Sequence, residues 1–281
     1  MSIKDITVVI TTFKSNKKIK NCLNSIDRQT KVLIIENSND TEIKKDIEKE
    51  FKNVEYVLAG SNIGYGRSNN IGLKKVTTKY ALVLNPDTTL HPSALENFLE
   101  TSKKISEFAI MAPYIQEEKN KRDTNYLKNV SPVQVPNVKG FAMFLNLSEF
   151  KNVGFFDEIF FFYFEEIDLC RRLVEYGKKI YLVPDIKINH EGASSHDESI
   201  KDEMELSRNW HWMWSTFYYH KKYKGFIISF LIVLPKLSSA TIKVMIYSLI
   251  FNKEKREIYY QRLSGLINAI IGKPSWYRPK V

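Results

Sequence analysis

Cysteine is scarce in this chain, and so are the patterns that would assign it to several common function classes. Only Cys22 and Cys170 occur, each in a stretch that reads as helix and neither in a CxxC pair. That excludes a zinc ribbon and points to reduced thiols in a cytosolic protein. The segment Met1-Ser-Ile-Lys-Asp-Ile-Thr7 has no basic stretch followed by an apolar core, so no secretory signal is expected. Long hydrophobic runs are missing too. The longest clean one, Phe226 to Leu234, falls well short of the roughly 20 apolar residues that cross a bilayer. There is no GxGxxG spacing, no RNP pattern, no zinc-ligand spacing and no recognition helix, so nucleic acid is not an expected partner.

What is present argues for a folded α/β chain. Hydrophobic residues make up 43% of the sequence and aromatics 13%, enough for a substantial core in 281 residues. The net charge of +10 is unevenly placed. From Lys201 onward there are 14 Lys and Arg against 5 Asp and Glu, whereas the first 200 residues are close to neutral. An anionic partner at the C-terminal end follows from that asymmetry: a membrane surface, nucleic acid or a phosphorylated substrate, the second of which the missing motifs disfavour.

Ile6–Ile10, Val32–Ile35 and Val54–Leu58 are short β-branched or apolar runs. Between them, Ile19, Leu23 and Ile26, then Ile43, Ile47 and Phe51, recur at helical spacing. This alternation predicts a parallel sheet covered by helices. Asn62-Ile-Gly64-Tyr-Gly66 leads into a helix expected near Ser68, whose free N–H groups could face an anion. Tyr80-Ala-Leu-Val-Leu84 then reads as a strand buried on both faces and stopped by Asn85-Pro86. Asp87 is the first charged side chain beyond it, at the strand's carboxyl end, where open α/β sheets bind ligands. A carboxylate there suits a divalent cation; the other reading is a turn that caps the next helix.

Residues 117 to 138 are polar and read as a loop in the place of a lid. After a strand at Gly140–Phe144 comes a dense aromatic run, Phe155 to Phe164, which delivers Glu165, Glu166 and Asp168 to the start of a helix ending at Gly177. Acidic residues in a first turn serve as dipole partners, but aromatic neighbours would also desolvate a carboxylate and raise its pKa toward that of a base. Ile180–Val183 and Ile186–His190 read as edge strands, with His190 where the apolar pattern ends.

Taken in order, these stretches resemble family 2 glycosyltransferases of the GT-A fold, in particular the bacterial rhamnosyltransferase-like branch. The motifs are Ile10-Thr-Thr-Phe13, Glu36-Asn-Ser-Asn-Asp40, Asn62-x-Gly64 with Asn70-x-Gly72, Leu84-Asn-Pro-Asp87, Phe156-Asp-Glu158, Tyr163-Phe-Glu-Glu-Ile-Asp-Leu169 and His190. The resemblance implies a Rossmann-like, mostly parallel sheet flanked by helices, with a C-terminal helical extension. It divides the chain into a catalytic domain at 1–200, its nucleotide-sugar part to about 115, and an extension at 201–281.

The resemblance also implies roles. Thr11, Thr12 and Glu36 would hold the nucleotide, with Asn70, Asn85 and Asp87 completing the nucleotide-sugar site. Asp87 matches the last residue of the family's DxD signature, whose first Asp is Asn85 here, and would hold Mn2+ or Mg2+ with His190. Glu166, with Glu165 as its understudy, would be the base, and Asp157 and Glu158 would meet the acceptor. The implied partners are a nucleotide-sugar donor, dTDP-rhamnose or a UDP-sugar, and a glycan or lipid-linked acceptor. A non-catalytic sugar-nucleotide or glycan binder on the same fold is the alternative.

The last 80 or so residues cluster Trp210, Trp212 and Trp214 beside basic residues, which suits a membrane interface. Lys236, Ser239 and Lys243 share one helical stripe, with Leu237, Val244 and Met245 turned away. An interfacial helix on the cytoplasmic leaflet is expected from this pattern. The other reading is an extension packed on the catalytic domain or pairing two copies in a homodimer.

Overall fold

The structure, a computed structural model, describes residues 2–113, 131–192 and 195–279. Most of the polar stretch read as a loop lies outside them. The chain divides into two compact units. The first takes in Met1–Phe156 and Glu166–Asp197, the second Asp157–Glu165 and Glu198–Val281.

In the first unit the β-branched runs form strands as their composition asks: β1 (Ile6–Thr12), β2 (Lys31–Glu36), β3 (Val54–Leu58) and β4 (Tyr80–Leu84). Further strands are β5 (Thr88–Leu90), β6 (Ile110–Pro113), β7 (Val133–Gln134), β8 (Ala142–Asn146), β9 (Ile180–Val183) and β10 (Ile188–His190). Among the described residues the main sheet runs β3-β2-β1-β4-β8-β6-β9-β7. Strands β1 to β4 pair in parallel, whereas β8 lies antiparallel to both β4 and β6. The sheet is therefore mixed, and β4 is its hinge between the two patterns.

Alternation along each strand sorts side chains to two faces. Val8, Ile10, Ile34, Leu82 and Leu84 point to one core, and Val9, Ala81, Val83, Met143 and Leu145 to the other. Helices α1 (Asn16–Asn24), α2 (Thr41–Glu50) and α4 (Ala94–Lys104) cover the first face through Leu23, Ile47 and Phe98. Helices α3 (Tyr65–Lys75) and α5 (Glu165–Glu175) cover the second through Leu73, Leu169 and Leu173. Asp40 caps α2, its carboxylate accepting from the Ile43 N–H at 3.1 Å.

Several expectations need correction. Strand β9 is not an edge, because β7 pairs with it on the side away from β6. The chain after Asp87 does not run straight into a helix; β5 intervenes and pairs antiparallel with β10 in a separate two-stranded sheet. Helix α3 begins at Tyr65 rather than near Ser68, because Gly64, at φ 88°, already makes the turn.

The second unit is helical. Helix α6 spans Lys201–Leu249 but is broken at Gly225, whose φ of 75° no helix accommodates. Helix α7 (Lys253–Ile270) folds back on it, capped by Asn252. Trp210, Met213, Trp214, Phe217, Val233, Leu266 and Ala269 form their shared core. Gly265 is required there, since a Cβ at that position would stand 2.2 Å from the Trp210 carbonyl oxygen. The Trp210 indole donates to Ser264 Oγ at 3.2 Å and Trp214 to the Lys273 carbonyl at 3.0 Å, so these tryptophans are core and not interface anchors. Leu237, on the side away from the Lys236–Ser239–Lys243 stripe, packs on this core. By length and composition, Glu198–Leu249 is apolar enough to cross a membrane. A count of uninterrupted apolar residues misses this, since Pro235, Lys236 and Lys243 break the run without ending the helix.

Candidate active site

The carboxyl edge of β4 is built by main-chain pairing. Leu84 pairs with Ala142 in β8, and the Asn85 N–H continues the ladder to the Phe141 carbonyl at 2.8 Å. Asn85 in turn accepts the Thr88 hydroxyl at 2.7 Å, which closes the turn carrying Asp87. Cys22 lies beneath this turn, its Sγ 3.8 Å from the Asn85 carbonyl. Burial pushes the Cys22 thiol up to about 12, so it packs as a neutral group.

Register places His190. It pairs with Thr88 across β5 and β10, and the Glu191 N–H reaches the Asp87 carbonyl at 3.2 Å. Nε2 of His190 thus stands 3.5 Å from Asp87 Oδ1. The His190 ring stacks on Phe141 with centroids 4.7 Å apart. Asp87 is 3% exposed; His190 Nε2 and the Ser195 side chain stand near its carboxylate, but neither oxygen meets strict hydrogen-bond geometry with a described residue. Burial pushes its carboxyl up, but His190 and the Ser195 hydroxyl outweigh that and leave it below the usual aspartate value. A buried carboxylate with both oxygens unsatisfied is costly unless something cationic meets it. Among the described residues no set of three His, Cys, Asp or Glu side chains converges as a metal cage. Asp87 and His190 therefore fit an ion that takes its other ligands from substrate and water.

Glu166 reaches the same edge by a different route. It sits in the first turn of α5, with its stem facing Gly140: a Cβ added there would stand 3.4 Å from Glu166 Cβ and 3.5 Å from its Cγ. Tyr65 fixes that approach by donating its hydroxyl to the Gly140 carbonyl at 2.6 Å. Gly140 faces the stem of Glu166 and its neighbour Phe141 stacks on His190, so adjacent residues lie beside the two acids. Oε2 of Glu166 is buried without a hydrogen-bond partner among the described residues. Burial raises the Glu166 carboxyl above its ordinary value, against the opposing pull of the main-chain N–H groups of Glu166 and Ile167.

The remaining predicted residues are placed as follows. Thr11 and Thr12 end β1, the Thr11 hydroxyl buried without a partner among the described residues. Glu36 ends β2 and is wrapped by its own loop, accepting from the Ser38 N–H at 2.8 Å, the Ser38 hydroxyl and the Asp40 N–H at 3.1 Å. Asn70 is committed to the main chain of Phe156, donating to its carbonyl at 2.9 Å and accepting from its N–H at 3.0 Å. In the second unit, Asp157 accepts from Lys222 Nζ at 2.8 Å and the Ile159 N–H at 3.0 Å, while Glu158 is exposed and Glu165 buried. Burial opposes ionisation of Asp157, yet Lys222 and Ile159 hold its carboxyl below the usual range.

Sequence reasoning missed Tyr65, Gly140 and Phe141, whose roles depend on contacts between distant segments. It also passed over Asn37, which donates to the Thr12 carbonyl at 3.3 Å and accepts from the Ile63 N–H at 3.1 Å and the Ser68 hydroxyl at 2.9 Å. That amide ties β1, β2 and the start of α3 together. Tyr163 and Phe164, at φ 68° and 71°, are consecutive non-glycine residues in left-handed geometry just ahead of Glu165. Such strain collects at functional sites.

Comparison with known proteins bears on this geometry. A family model described as "Glycosyl transferase family 2" matches residues 7–171, more than half of the chain. The chain is 26% identical to the rhamnosyltransferase WbbL of Escherichia coli K12 over 235 residues, 72% of this chain and 86% of that protein. It is also 26% identical to the low-salt glycan biosynthesis hexosyltransferase Agl10 of Haloferax volcanii, over 60% of this chain and only 61% of that protein. To the N-acetylglucosaminyl-diphospho-decaprenol L-rhamnosyltransferase of Mycobacterium tuberculosis it is 22% identical, over 67% of this chain and 76% of that one. Among solved structures it resembles the mannosyltransferase PcManGT of Pyrobaculum calidifontis, in complex with GDP-Man and Mn2+, with TM-score 0.59 and 10% identity over 95% of this chain and 87% of that one. S. aureus TarS 1-349 in complex with UDP-GlcNAc gives 0.56 and 12% over 97% and 93%. At these identities the structural likeness speaks for the fold.

Proposed function

The chain belongs to glycosyl transferase family 2, and from that premise we propose that it moves a sugar from a nucleotide diphosphate to a hydroxyl of a lipid-linked glycan, inverting the anomeric carbon. The observation that carries this reading is a pair of acids in the first unit, Asp87, buried with both oxygens outside hydrogen-bond geometry, and Glu166, half-buried with Oε2 unpartnered among the described residues, flanking Gly140–Phe141. One acid is kept low and suits a cation; the other is kept high and suits a proton.

In this reading Thr11, Thr12 and the loop that Glu36 organises receive the nucleotide, and Asn85 and Asp87 flank its diphosphate. Asp87 and His190 would hold Mn2+ or Mg2+, and a divalent ion there supplies positive charge for the leaving diphosphate. Glu166 takes the proton as the acceptor oxygen bonds to the anomeric carbon. The bond from that carbon to the diphosphate oxygen breaks on the opposite face, and the electron pair leaves with the phosphate. Glu166 is preferred to Glu165 because it belongs to the first unit, its stem facing Gly140 and its Oε2 without a partner among the described residues. Asn70 serves the donor side indirectly by bracing Phe156, and Asp157 and Glu158 would meet the acceptor.

The naming of two relatives as rhamnosyltransferases favours a dTDP-rhamnose donor over a UDP-sugar, and one of them names a diphospho-decaprenol. A lipid-linked acceptor also suits the exposed apolar residues of α6, which would rest on the inner face of the cell membrane. Thermal-shift measurement against a panel of nucleotide sugars, with and without Mn2+, tests the proposal. The expected result is stabilisation by dTDP-rhamnose that requires the ion, with turnover in the presence of a lipid-linked acceptor. Binding with no transfer or hydrolysis would make the protein a sugar-nucleotide binder instead.

A further inference from the structure

Two cavities lie within the second unit, apart from the Asp87 edge. One, of about 280 Å3, is lined by Trp212, Lys236, Ser239, Tyr259 and Arg262, among others. The other, of about 250 Å3, is lined by Tyr163, Glu205, Arg208, Asn209, Trp212 and Arg262. Trp212 and Arg262 belong to both, so the hollows adjoin across these two side chains.

Their charge is one-sided. Arg208, Lys236 and Arg262 stand against a single acid, Glu205, which already accepts from Asn209 Nδ2 at 2.7 Å. Lys243 adds a further cation by donating to the Tyr259 hydroxyl at 3.2 Å. That bond, with the fields of Lys243, Arg262 and Lys255, lowers the Tyr259 phenol below its usual value, in keeping with the cations gathered along the wall. The Arg262 guanidinium is fixed in plane by donating to Asn209 Oδ1 at 2.6 Å and by lying 5.0 Å from the Tyr259 ring centroid. A pre-set guanidinium fork beside a lysine is the donor arrangement that recognises phosphate oxygens.

The same helix that contributes Lys236 and Ser239 exposes Phe226, Ile227, Ile228 and Leu231 one to three turns earlier. Cations in a hollow and apolar side chains left to solvent on one helix match the two halves of an amphiphile. We propose that the joined hollows bind the phosphate or diphosphate head of a lipid carrier, whose hydrocarbon lies on the apolar part of α6. The inference deepens the transferase reading and rests on it for its purpose: Tyr163, in the wall, stands three positions ahead of Glu166 in the chain.

Farnesyl diphosphate is the probe, followed by intrinsic tryptophan fluorescence of the full chain, since Trp212 lines both hollows. Binding is expected to weaken about tenfold in Lys236→Ala, as for the loss of one charge-assisted contact, and to recover in Lys236→Arg. Lys236 is exposed, so folding is not at stake, and Arg262→Lys offers a second variant that keeps charge but loses the fork. Inorganic pyrophosphate is expected to bind at least about tenfold more weakly than the lipid probe, because it leaves the apolar half unmet. Pyrophosphate matching the lipid, or both variants binding as wild type, would overturn the proposal. Nucleotide-sugar binding is read in parallel on the wild type. Its absence beside intact lipid binding would sink the transferase reading and leave the lipid pocket standing; its presence beside variant-independent lipid binding would do the reverse.

Discussion

At the scale of single residues the proposed reaction turns on two acidic side chains, Asp87 and Glu166, with opposite electrostatic surroundings. Glu166→Gln preserves shape but cannot accept a proton, so turnover is expected to fall by about 10²–10⁴-fold while donor binding persists, as measured by steady-state kinetics beside calorimetry. The same variant makes a prediction about stability. Because burial raises the Glu166 carboxyl, the folded chain holds that proton more tightly than the unfolded chain does. That contribution is complete below the ordinary glutamate value and is lost as pH rises through the raised one. Glu166→Gln is thus expected to melt above wild type at about pH 8 and to match it near about pH 4, as scanning calorimetry across pH would reveal. For Asp87→Ala the expectation concerns the ion: thermal stabilisation by Mn2+ with nucleotide sugar disappears, because His190 alone is a weak site for a hard cation. An unchanged Mn2+ response would remove Asp87 from the metal's shell.

Elements meet most tightly at two glycines. On α3, a Cβ at Gly72 would lie 2.4 Å from Val9 Cγ1, within the buried face of β1. Gly72→Ala must therefore lift the helix from the sheet or force Val9 off its rotamer, at a cost of about 1–3 kcal/mol in urea unfolding. At Gly265 the obstacle is the Trp210 carbonyl oxygen, a main-chain atom that cannot rotate away. Gly265→Ala is expected to loosen α7 from α6 by about 2–3 kcal/mol and to spare nucleotide-sugar binding in the first unit, which hydrogen exchange would localise. Helical spacing found most of these elements. It found β10 within the run Ile186–His190 but not β5, three residues long, whose pairing with β10 brings His190 to Asp87. Runs that short carry no period to detect, and only their partner across the ladder makes them strands.

The whole molecule joins a nearly neutral α/β unit to a basic helical one that leaves large apolar side chains in solvent. Ile227 is 75% exposed, Leu249 78% and Phe251 91%. Sedimentation with anionic vesicles is expected, reduced but not abolished by high salt, since salt screens the lysines and leaves the apolar contribution. Ile227→Glu with Leu231→Glu is expected to cut vesicle binding by more than about tenfold, each lost apolar contact being worth about 1.5–3 kcal/mol. Equal binding by this double variant would assign the exposed face to another use.

By itself the sequence determined the alternation of strands and helices and marked Asp87 and Glu165-Glu166 as candidate acids, because apolar period and turn chemistry are local and survive being read one stretch at a time. The GT-A class followed from the resemblance of its ordered motifs to a known family. The sequence also marked Lys236, Ser239 and Lys243 as one stripe, but had no means of telling which way the stripe faced. Tertiary structure decided that, turning Lys236 and Ser239 into a hollow and Lys243 onto Tyr259. It also decided that Gly140 and Phe141 bridge Glu166 to His190, that Asn70 braces Phe156, and that Tyr163 and Phe164 sit in left-handed geometry. The physical reason is common to all of these: each depends on which distant segment supplies the neighbour, and pairing across a sheet or between helices is fixed only when the whole core closes.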